Sequence, residues 1–277
     1  MLDSFIFENH LGHRFVGLEN NVYLNESELR DYSWDYDVIN NRISRFYRSI
    51  KDRKLPLVVM CTTTEEAAEV KNRLLELAEA DIATNQPGTI YVGGYYTKGF
   101  ITASKKSEYL ISGRYCKIEL ILTSDNPAWF REEGHSFRPV GNSDGSAAVS
   151  GTDYPYDYPY DYALALSNSR IVCDTAGSNA FKLRIYGPVI DPSVLVGTHK
   201  YAVTGSVGEG ETLLIDSLSK TITLTTAQGN TQNWFHRRGR ENYIFEPIPP
   251  GVQLVNWSGL FGFDLTIIEE RSEPKWT

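Results

Sequence analysis

Two glycine-containing motifs in the sequence include residues that can do chemistry. Residues 141–145 read Gly-Asn-Ser-Asp-Gly and match the GxSxG pattern, whose serine needs a buried strand before it and a helix after it. Polar sequence flanks this motif on both sides, so a flexible loop is the favoured interpretation. Residues 205–210 lack the Lys-Ser/Thr ending of a phosphate-binding loop, and Glu209 would repel an anion. They favour a loop between strands.

Histidines and carboxylates offer two further candidate sites. His10 and His13 lie three residues apart, but two ligands without a third do not define a metal site. Asp35 and Asp37 are spaced to share one face of a strand, which is compatible with two-carboxylate sugar hydrolysis. An ordinary surface turn and a solvated strand edge are the favoured interpretations, and no catalytic residue, metal or cofactor is predicted.

Aromatic and basic residues indicate binding rather than catalysis. Trp234 and Trp257 are candidates for stacking on a sugar, although a single tryptophan is more often buried in a core or an interface. Six basic residues lie between positions 42 and 54, together with Phe46 and Tyr47. Basic residues interleaved with aromatic ones can bind nucleic acid, but the net charge of −8 argues against nucleic acid as the main partner.

One segment of the chain predicts a helix. Thr63 and Glu66 have the spacing of a capping box, and apolar residues then recur at helical intervals. Asp81 and the turn at residues 85–88 end the pattern. A single amphipathic helix in 277 residues must pack on something, and sheet is the remaining candidate.

Most of the chain alternates with a period of two. Residues 181–186, 221–225 and 263–268 alternate apolar and other side chains, and short strands separated by Gly, Asn, Ser and Pro indicate sandwiches or a barrel. Residues 132–153 read as a linker or surface loop, and a Tyr-Pro-Tyr-Asp repeat follows at residues 154–162. The sequence therefore predicts an N-terminal α+β domain at 1–131 and a C-terminal all-β domain at 154–277.

Composition limits where the protein is made. Three cysteines without CxxC spacing indicate a reducing compartment and neither a disulfide framework nor a zinc site. The first residues lack the features of a secretory signal, and no apolar run approaches the length of a membrane span. Synthesis in a cytoplasm without membrane insertion is expected, and a virion is one vehicle for a later extracellular role.

Several segments, in this order along the chain, resemble the distal tail proteins of phages that infect Gram-positive bacteria. The resemblance extends over nearly the whole chain, and the similar segments are residues 22–25, 30–36, 40–48, 71–72, 80–82, 87–88, 91–101, 126–130 and 156–162. The C-terminal part is similar in pattern only, at residues 210–211 and 214–216, a threonine-rich strand after them, and then Phe245, Pro247, Pro249, Pro250 and Gly251. The strongest similarity is at residues 91–101.

The resemblance implies a mainly β protein and a structural role. Its N-terminal domain would be a β-sandwich or split barrel with one helix and a projecting hairpin, and its C-terminal domain a galectin-like β-sandwich. Six copies would form a ring at the virion tail tip, assembled in the host bacterial cytoplasm. The partners that the resemblance implies are other copies of the chain, the tail tube protein, the tail-tip hub and a receptor-binding protein.

The projecting hairpin is predicted at residues 93–112. Its aromatic residues suit an interface, where tyrosine is enriched. The candidate ring-interface residues are Tyr95, Tyr96, Phe100 and Tyr109. The alternative is that these four side chains form cross-strand pairs in the core.

Two other functions stay open on the sequence alone. A carbohydrate-binding module that contacts the host cell wall would use Trp234 and Trp257 as stacking platforms. A cell-wall hydrolase would use Asp35, Asp37 or Ser143. Neither explains the tyrosine-proline repeat or the order of the two domains as well as a tail-tip protein does.

Overall fold

The computed structural model describes residues 5–25, 27–111, 113–139, 167–175 and 177–276. The chain forms two compact units: unit 1 comprises residues 1–131 and 270–277, and unit 2 comprises residues 132–269. Residues 140–166, which include the GxSxG motif, much of the expected linker and the tyrosine-proline repeat, lie outside the described residues. The expected mainly β fold with one helix is confirmed for the described part of the chain.

Unit 1 contains one α-helix and the first strands of the chain. Their bounds are β1 (Ile6–Glu8), β2 (Arg14–Val16), β3 (Val22–Leu24), β4 (Asp35–Ile39), β5 (Arg42–Tyr47), β6 (Lys51–Met60), α1 (Thr64–Thr84), β7 (Gly88–Val92), β8 (Tyr95–Leu110), β9 (Tyr115–Ser124) and β10 (Trp129–Phe137). The chain passes from unit 1 to unit 2 within β10.

The long strand β8 belongs to both of the larger antiparallel sheets of unit 1. Its first residues, up to Gly99, pair with β7, and the residues from Phe100 onward pair with β9. One sheet has the order β2-β1-β7-β8, and the other has the order β8-β9-β6-β3. A Cβ atom at Gly99 would lie 2.7 Å from the carbonyl oxygen of Thr123. Glycine therefore lets the strand approach β9 where it changes partner.

Helix α1 begins as its sequence indicates. The Thr63 side chain accepts a hydrogen bond from the Glu66 amide at 3.1 Å. The Glu66 carboxylate accepts hydrogen bonds from the amide and hydroxyl of Thr62 and from the Asn21 side chain, and these contacts lower its pKa. Asn85, in a left-handed conformation, ends the helix. The predicted capping residues Thr63 and Glu66 are confirmed. The Glu66 carboxylate, however, binds the amide of Thr62, whereas a capping box would use the amide of Thr63.

The core of unit 1 lies between its sheets and the helix. The helix contributes Val70, Leu74, Leu77 and Ala78, which recur at intervals of three and four residues and so share one face. Trp129 is fully buried and donates its indole N–H to the Leu29 carbonyl at 3.1 Å. Burial of this apolar face is what holds the helix against the strands.

Unit 2 is a β-sandwich. Its strands are β11 (Ser167–Cys173), β12 (Ala180–Tyr186), β13 (Val189–Ile190), β14 (Ser193–Val196), β15 (His199–Ala202), β16 (Ser206–Val207), β17 (Thr212–Asp216), β18 (Thr221–Thr225), β19 (Thr231–Asn233), β20 (Gly251–Trp257) and β21 (Phe263–Arg271). The order β19-β18-β17-β12-β21 forms one antiparallel sheet, and β11-β20-β14-β15 forms the other. The chain returns to unit 1 within β21.

One hydrophobic core fills the space between the two sheets of unit 2. The alternating residues predicted from the sequence are buried there, among them Phe181, Leu183 and Leu265. The other sheet contributes Val194 and Tyr201, and the Tyr201 ring meets that of Phe181 edge to face at 4.7 Å. Facing inner surfaces of this kind define a sandwich.

Candidate assembly surface

The histidine candidate is a structural contact. His10 and Asp81 are buried, with Nδ1 of the ring 2.7 Å from the carboxylate. The same carboxylate oxygen accepts the His10 amide at 2.8 Å. The pair ties the turn after β1 to the last turn of α1, while His13 is exposed. Within the described ranges, no three His, Cys, Asp or Glu side chains are placed to hold a metal ion.

The carboxylates Asp35 and Asp37 lie in strand β4 and make ordinary strand contacts. Asp35 accepts a hydrogen bond from the Ser49 hydroxyl at 2.5 Å, and Asp37 is opposite Arg45 in β5. Both aspartates are exposed. Two exposed carboxylates on an open hairpin do not form the enclosed acid and base between which a sugar chain is hydrolysed. Ser143, the other hydrolase candidate, lies outside the described residues.

The two candidate tryptophans of unit 2 are buried, whereas stacking on a glycan requires an exposed ring face. Trp234 is 6% exposed and Trp257 is 4% exposed. The guanidinium of Arg237 covers the Trp234 ring at 4.4 Å. Trp257 meets the ring of Phe263 edge to face at 5.2 Å and donates its N–H to a carbonyl at 3.1 Å. Neither ring presents an open face to a sugar.

The candidate interface residues of β8 fall into two groups. Tyr95 is 1% exposed and lies in the core of unit 1, so the exposure expected for it is not found. Tyr96 is partly buried between Tyr91 at 6.2 Å and Phe130 at 5.8 Å. For these two tyrosines the structure has the cross-strand packing that the sequence analysis left as the alternative.

The far end of β8 projects into solvent. Phe100 is partly buried, whereas Tyr109 is exposed and lies 5.9 Å from the Lys71 ammonium. Leu110 and Ile111 beside it are also exposed. This end of the β8–β9 hairpin is available to another molecule, and Tyr109 stays a candidate interface residue.

A second hairpin, which the sequence analysis did not predict, is exposed along its whole length. Strands β4 and β5 pair only with each other among the described strands, and every residue in them is exposed. Asn40 and Asn41, both with positive φ, form the two-residue turn between them. The Asn-Asn pair between two alternating runs was the available sequence signal, and the basic charges around it obscured that signal.

One face of the β4–β5 hairpin is apolar. Tyr36 is opposite Phe46 with ring centroids 6.4 Å apart, and Val38 is opposite Ile43. A bulge between Asp37 and Val38 lets the two apolar pairs stay on the same face. All four side chains are more than half exposed. We call them the hairpin face. Adjacent exposed apolar residues of this kind mark interaction sites.

Unit 1 also carries an apolar groove between α1 and strands β8 and β9. Exposed Leu75 and Ile82 of the helix stand at its opening. The apolar lining residues are Leu74, Leu75, Ala78, Ile82, Ile101, Ala103, Ile118 and Leu120. Lys71, Glu79 and Lys106 add charges to the lining. The groove is a concave apolar surface, and it is formed by elements other than the β4–β5 hairpin.

Strand β6, which follows the β4–β5 hairpin, contains a buried arginine. Arg53 in β6 is 1% exposed and donates to the Pro127 carbonyl at 2.7 Å. Burial, with repulsion from Arg48, lowers its pKa to about 10, against the opposing attraction of Asp31. Its Nε and Nη1 atoms have no hydrogen-bond partner among the described residues. Arg53 therefore costs desolvation energy and serves as a structural contact inside unit 1.

Known structures share this fold along nearly the whole chain. One is the Dit protein (gp 19.1) of phage SPP1, described as a paradigm of the hub adsorption apparatus in phages that infect Gram-positive bacteria. It matches with a TM-score of 0.60 and 10% sequence identity, and the match covers 96% of this chain and 99% of that one. A chain of the phage P2 baseplate in its activated conformation with Ca matches with a TM-score of 0.59 and 13% identity, over 99% of this chain and 100% of its own length. The same baseplate with Sr gives a TM-score of 0.60 and 14% identity.

This chain has the fold of phage Dit and baseplate proteins. The mainly β fold and the likeness to distal tail proteins that the sequence implied are thereby confirmed. No known protein-family model and no curated protein sequence matches the chain. Among the described residues, no helix combines the length and apolar character needed to span a membrane.

Proposed function

We propose that this chain is a structural component of a phage tail tip, where six copies form a ring that connects the tail tube to the tail-tip hub. The observation that carries the proposal is the hairpin face, an apolar surface that unit 1 leaves uncovered, on a chain with the fold of Dit and baseplate proteins. The sixfold number and the tube and hub partners come from the sequence resemblance.

A closed ring requires two different surfaces on each copy, because its contacts are head to tail. Unit 1 has a projecting apolar hairpin and, on another element, a concave apolar groove. In the proposed ring, the hairpin face of one copy lies in the α1–β8 groove of the next. Burial of Tyr36, Val38, Ile43 and Phe46 would supply the driving force.

A non-enzymatic role agrees with the site geometry. Asp35 and Asp37 lie on an open hairpin, His10 is satisfied by Asp81, and both candidate tryptophans are buried. The similar structures are described as adsorption and baseplate components. The proposed location is accordingly the virion tail tip.

The first test is the native mass of the purified chain over a range of concentrations, with negative-stain images of the same samples. A sixfold ring with a central channel is the expected result. A chain that stays monomeric at every concentration, alone and with the hub protein of the same phage, would contradict the proposal.

The second test is a cysteine cross-link between the two proposed surfaces. In a Cys61→Ser background, which removes the partly exposed thiol, Val38→Cys and Leu75→Cys are combined in one chain. Oxidation should give a ladder of covalent multimers up to six. Ile39→Cys, on the opposite face of the hairpin, replaces Val38→Cys in the matched control and should give little product. Equal ladders from both variants would show that this pairing of surfaces is wrong.

A further inference from the structure

The base of the β4–β5 hairpin is closed by contacts between its two flanking segments. Trp34 directly precedes β4, and Arg48 directly follows β5. The Arg48 guanidinium lies 4.1 Å from the centre of the Trp34 ring. The Ser49 hydroxyl also donates to Asp35. These contacts join the two ends of the hairpin at its base.

Residues 270–276, which we call the strap, contact Arg48 after the hairpin and Arg30, four residues before Trp34 in the chain. Glu270 accepts a hydrogen bond from Arg48, and the Ser272 hydroxyl lies 3.4 Å from Nη2 of the same guanidinium. On the other side of the hairpin, Arg30 donates to the Pro274 carbonyl at 3.0 Å. The Arg30 guanidinium also lies 4.2 Å from the centre of the Trp276 ring. The strap therefore contacts the chain both before and after the hairpin.

The geometry makes Arg48 the central residue of this arrangement. Its side chain is 14% exposed, whereas the Glu270 carboxylate is 45% exposed. A guanidinium held between an aromatic ring and a carboxylate combines a cation–π contact with a charge-assisted hydrogen bond. Because of this contact, removing Glu270 leaves a largely buried charge with fewer partners.

The hairpin depends on its base because it has no neighbouring strand. Strands β4 and β5 form a two-stranded sheet by themselves within the described residues, and isolated two-stranded hairpins are marginally stable in water. The contacts at residues 34, 35, 48 and 49 hold the two ends of the hairpin together. The strap adds contacts to this base from a part of the chain more than 200 residues away.

We propose that the strap is a positioning device that holds the hairpin base, so that the hairpin face is presented in one direction for assembly. The strap follows unit 2 in the chain. Its contacts with Arg30 and Arg48 can therefore form only after unit 2 has been synthesised, which couples assembly to a finished unit 2. The consequence for assembly rests on the proposed ring, whereas the effect on hairpin order does not.

Hydrogen exchange followed by mass spectrometry tests the effect on the hairpin. The full chain is diluted until its native mass is that of a monomer, and Glu270→Ala with Ser272→Ala is compared with wild type. Peptides from residues 35–47 should exchange about tenfold faster in the double variant, while peptides from unit 2 stay unchanged. The matched control is Glu273→Ala, a carboxylate of the same strap whose side chain is not in these contacts. Unchanged exchange in residues 35–47 would overturn the proposal.

Two further measurements keep the outcomes distinct. If the double variant loses cooperative melting, Glu270→Gln replaces it, and faster exchange in the hairpin alone is again the expected result. Ring formation is then measured for each folded variant, and the strap variant should need about tenfold more protein than wild type or Glu273→Ala. If wild type forms no ring, the proposed function fails, and the exchange experiment still decides the role of the strap.

Discussion

Two hairpins of this protein follow the same sequence rule and meet different surroundings. In unit 2, strands β17 and β18 place Leu213, Ile215, Ile222 and Leu224 on one face, and that face is buried in the core. In unit 1, strands β4 and β5 place four apolar residues on one face, and that face is exposed. Alternation therefore specifies which side chains share a face, and it does not specify what covers that face.

The neighbours of each hairpin explain the difference. Strand β17 pairs with β12 as well as with β18, and β18 pairs with β19, so the β17–β18 hairpin is part of a sheet with an opposing sheet beneath it. Strands β4 and β5 have no further strand partner in the part of the chain that the structure describes. An apolar face without an internal partner is the expected form of a surface that a second molecule covers.

The largest expected effect separates the two hairpins by stability. Ile215→Ala in the buried face should lower the free energy of unfolding by about 2–5 kcal/mol, because it leaves a cavity in a packed core. Ile43→Ala in the hairpin face should lower it by less than about 1 kcal/mol, since that side chain is already in contact with water. Urea unfolding of the monomer measures both. Equal losses would mean that the hairpin face is covered within the chain.

The second prediction concerns assembly. Val38→Thr with Ile43→Thr keeps residues that favour strands and removes apolar surface from the hairpin face. The protein concentration at which half of the chains are in rings should rise more than tenfold. A tenfold change corresponds to about 1.4 kcal/mol of association free energy. Native mass spectrometry over a concentration series measures this shift. Ile39→Thr, on the opposite face of β4, is the control and should leave assembly unchanged.

The third prediction tests the core that covers the β17–β18 face. The buried Tyr201 hydroxyl donates to the Glu246 carbonyl at 2.7 Å, so Tyr201→Phe should cost about 1 kcal/mol at pH 7. Burial, with the nearby charge of Glu246, raises the pKa of Tyr201. The folded state therefore holds this proton more tightly than the unfolded chain does.

The sign of the pH dependence follows from that shift. The contribution of Tyr201 is fully present below the unfolded tyrosine pKa of about 10 and is lost as the pH rises further. Unfolding free energies at pH 7, 9 and 10.5 should fall less steeply for Tyr201→Phe than for wild type above pH 10. Parallel pH profiles would contradict the assignment.

The smallest expected effect lies in the two turns. Asn40 and Asn41 adopt positive φ in the β4–β5 turn, and Lys220 does so before β18 with φ of 55°. Asparagine tolerates this region better than lysine, so Lys220→Gly should stabilise the protein by at most about 1 kcal/mol. Asn41→Gly should change the stability by only a few tenths of that amount. Thermal melting of the monomer compares the two, and destabilisation by Lys220→Gly would show that its conformation carries no strain.

Local patterns in the sequence predicted much of the fold. The start of α1 at Thr63, its end near Asn85 and the buried alternation of residues 181–185 are all found. Each of these depends on hydrogen bonds or side-chain periodicity within a few residues, and such interactions can be read along the chain. The resemblance to distal tail proteins placed these elements in the fold that the structure has.

The candidate site was less accessible to sequence reasoning. Tyr95, Trp234 and Trp257 are of residue types that are common at interfaces, but all three are buried. Their burial could not be predicted because it depends on strands that are far away in the sequence. The β4–β5 hairpin was missed because its charged residues indicated a basic surface rather than two strands. Of the four candidate aromatic residues near β8, only Tyr109 is exposed at a free hairpin end.

The sequence by itself determined where the helix begins and ends, and which side chains of an alternating strand share a face. These properties follow from backbone geometry and from the side-chain period of each element. The tertiary structure decided which faces are covered and which are left open, and it brought the strap back to Arg30 and Arg48 across more than 200 residues. Such contacts are set by packing between distant segments, for which no local pattern carries a signal.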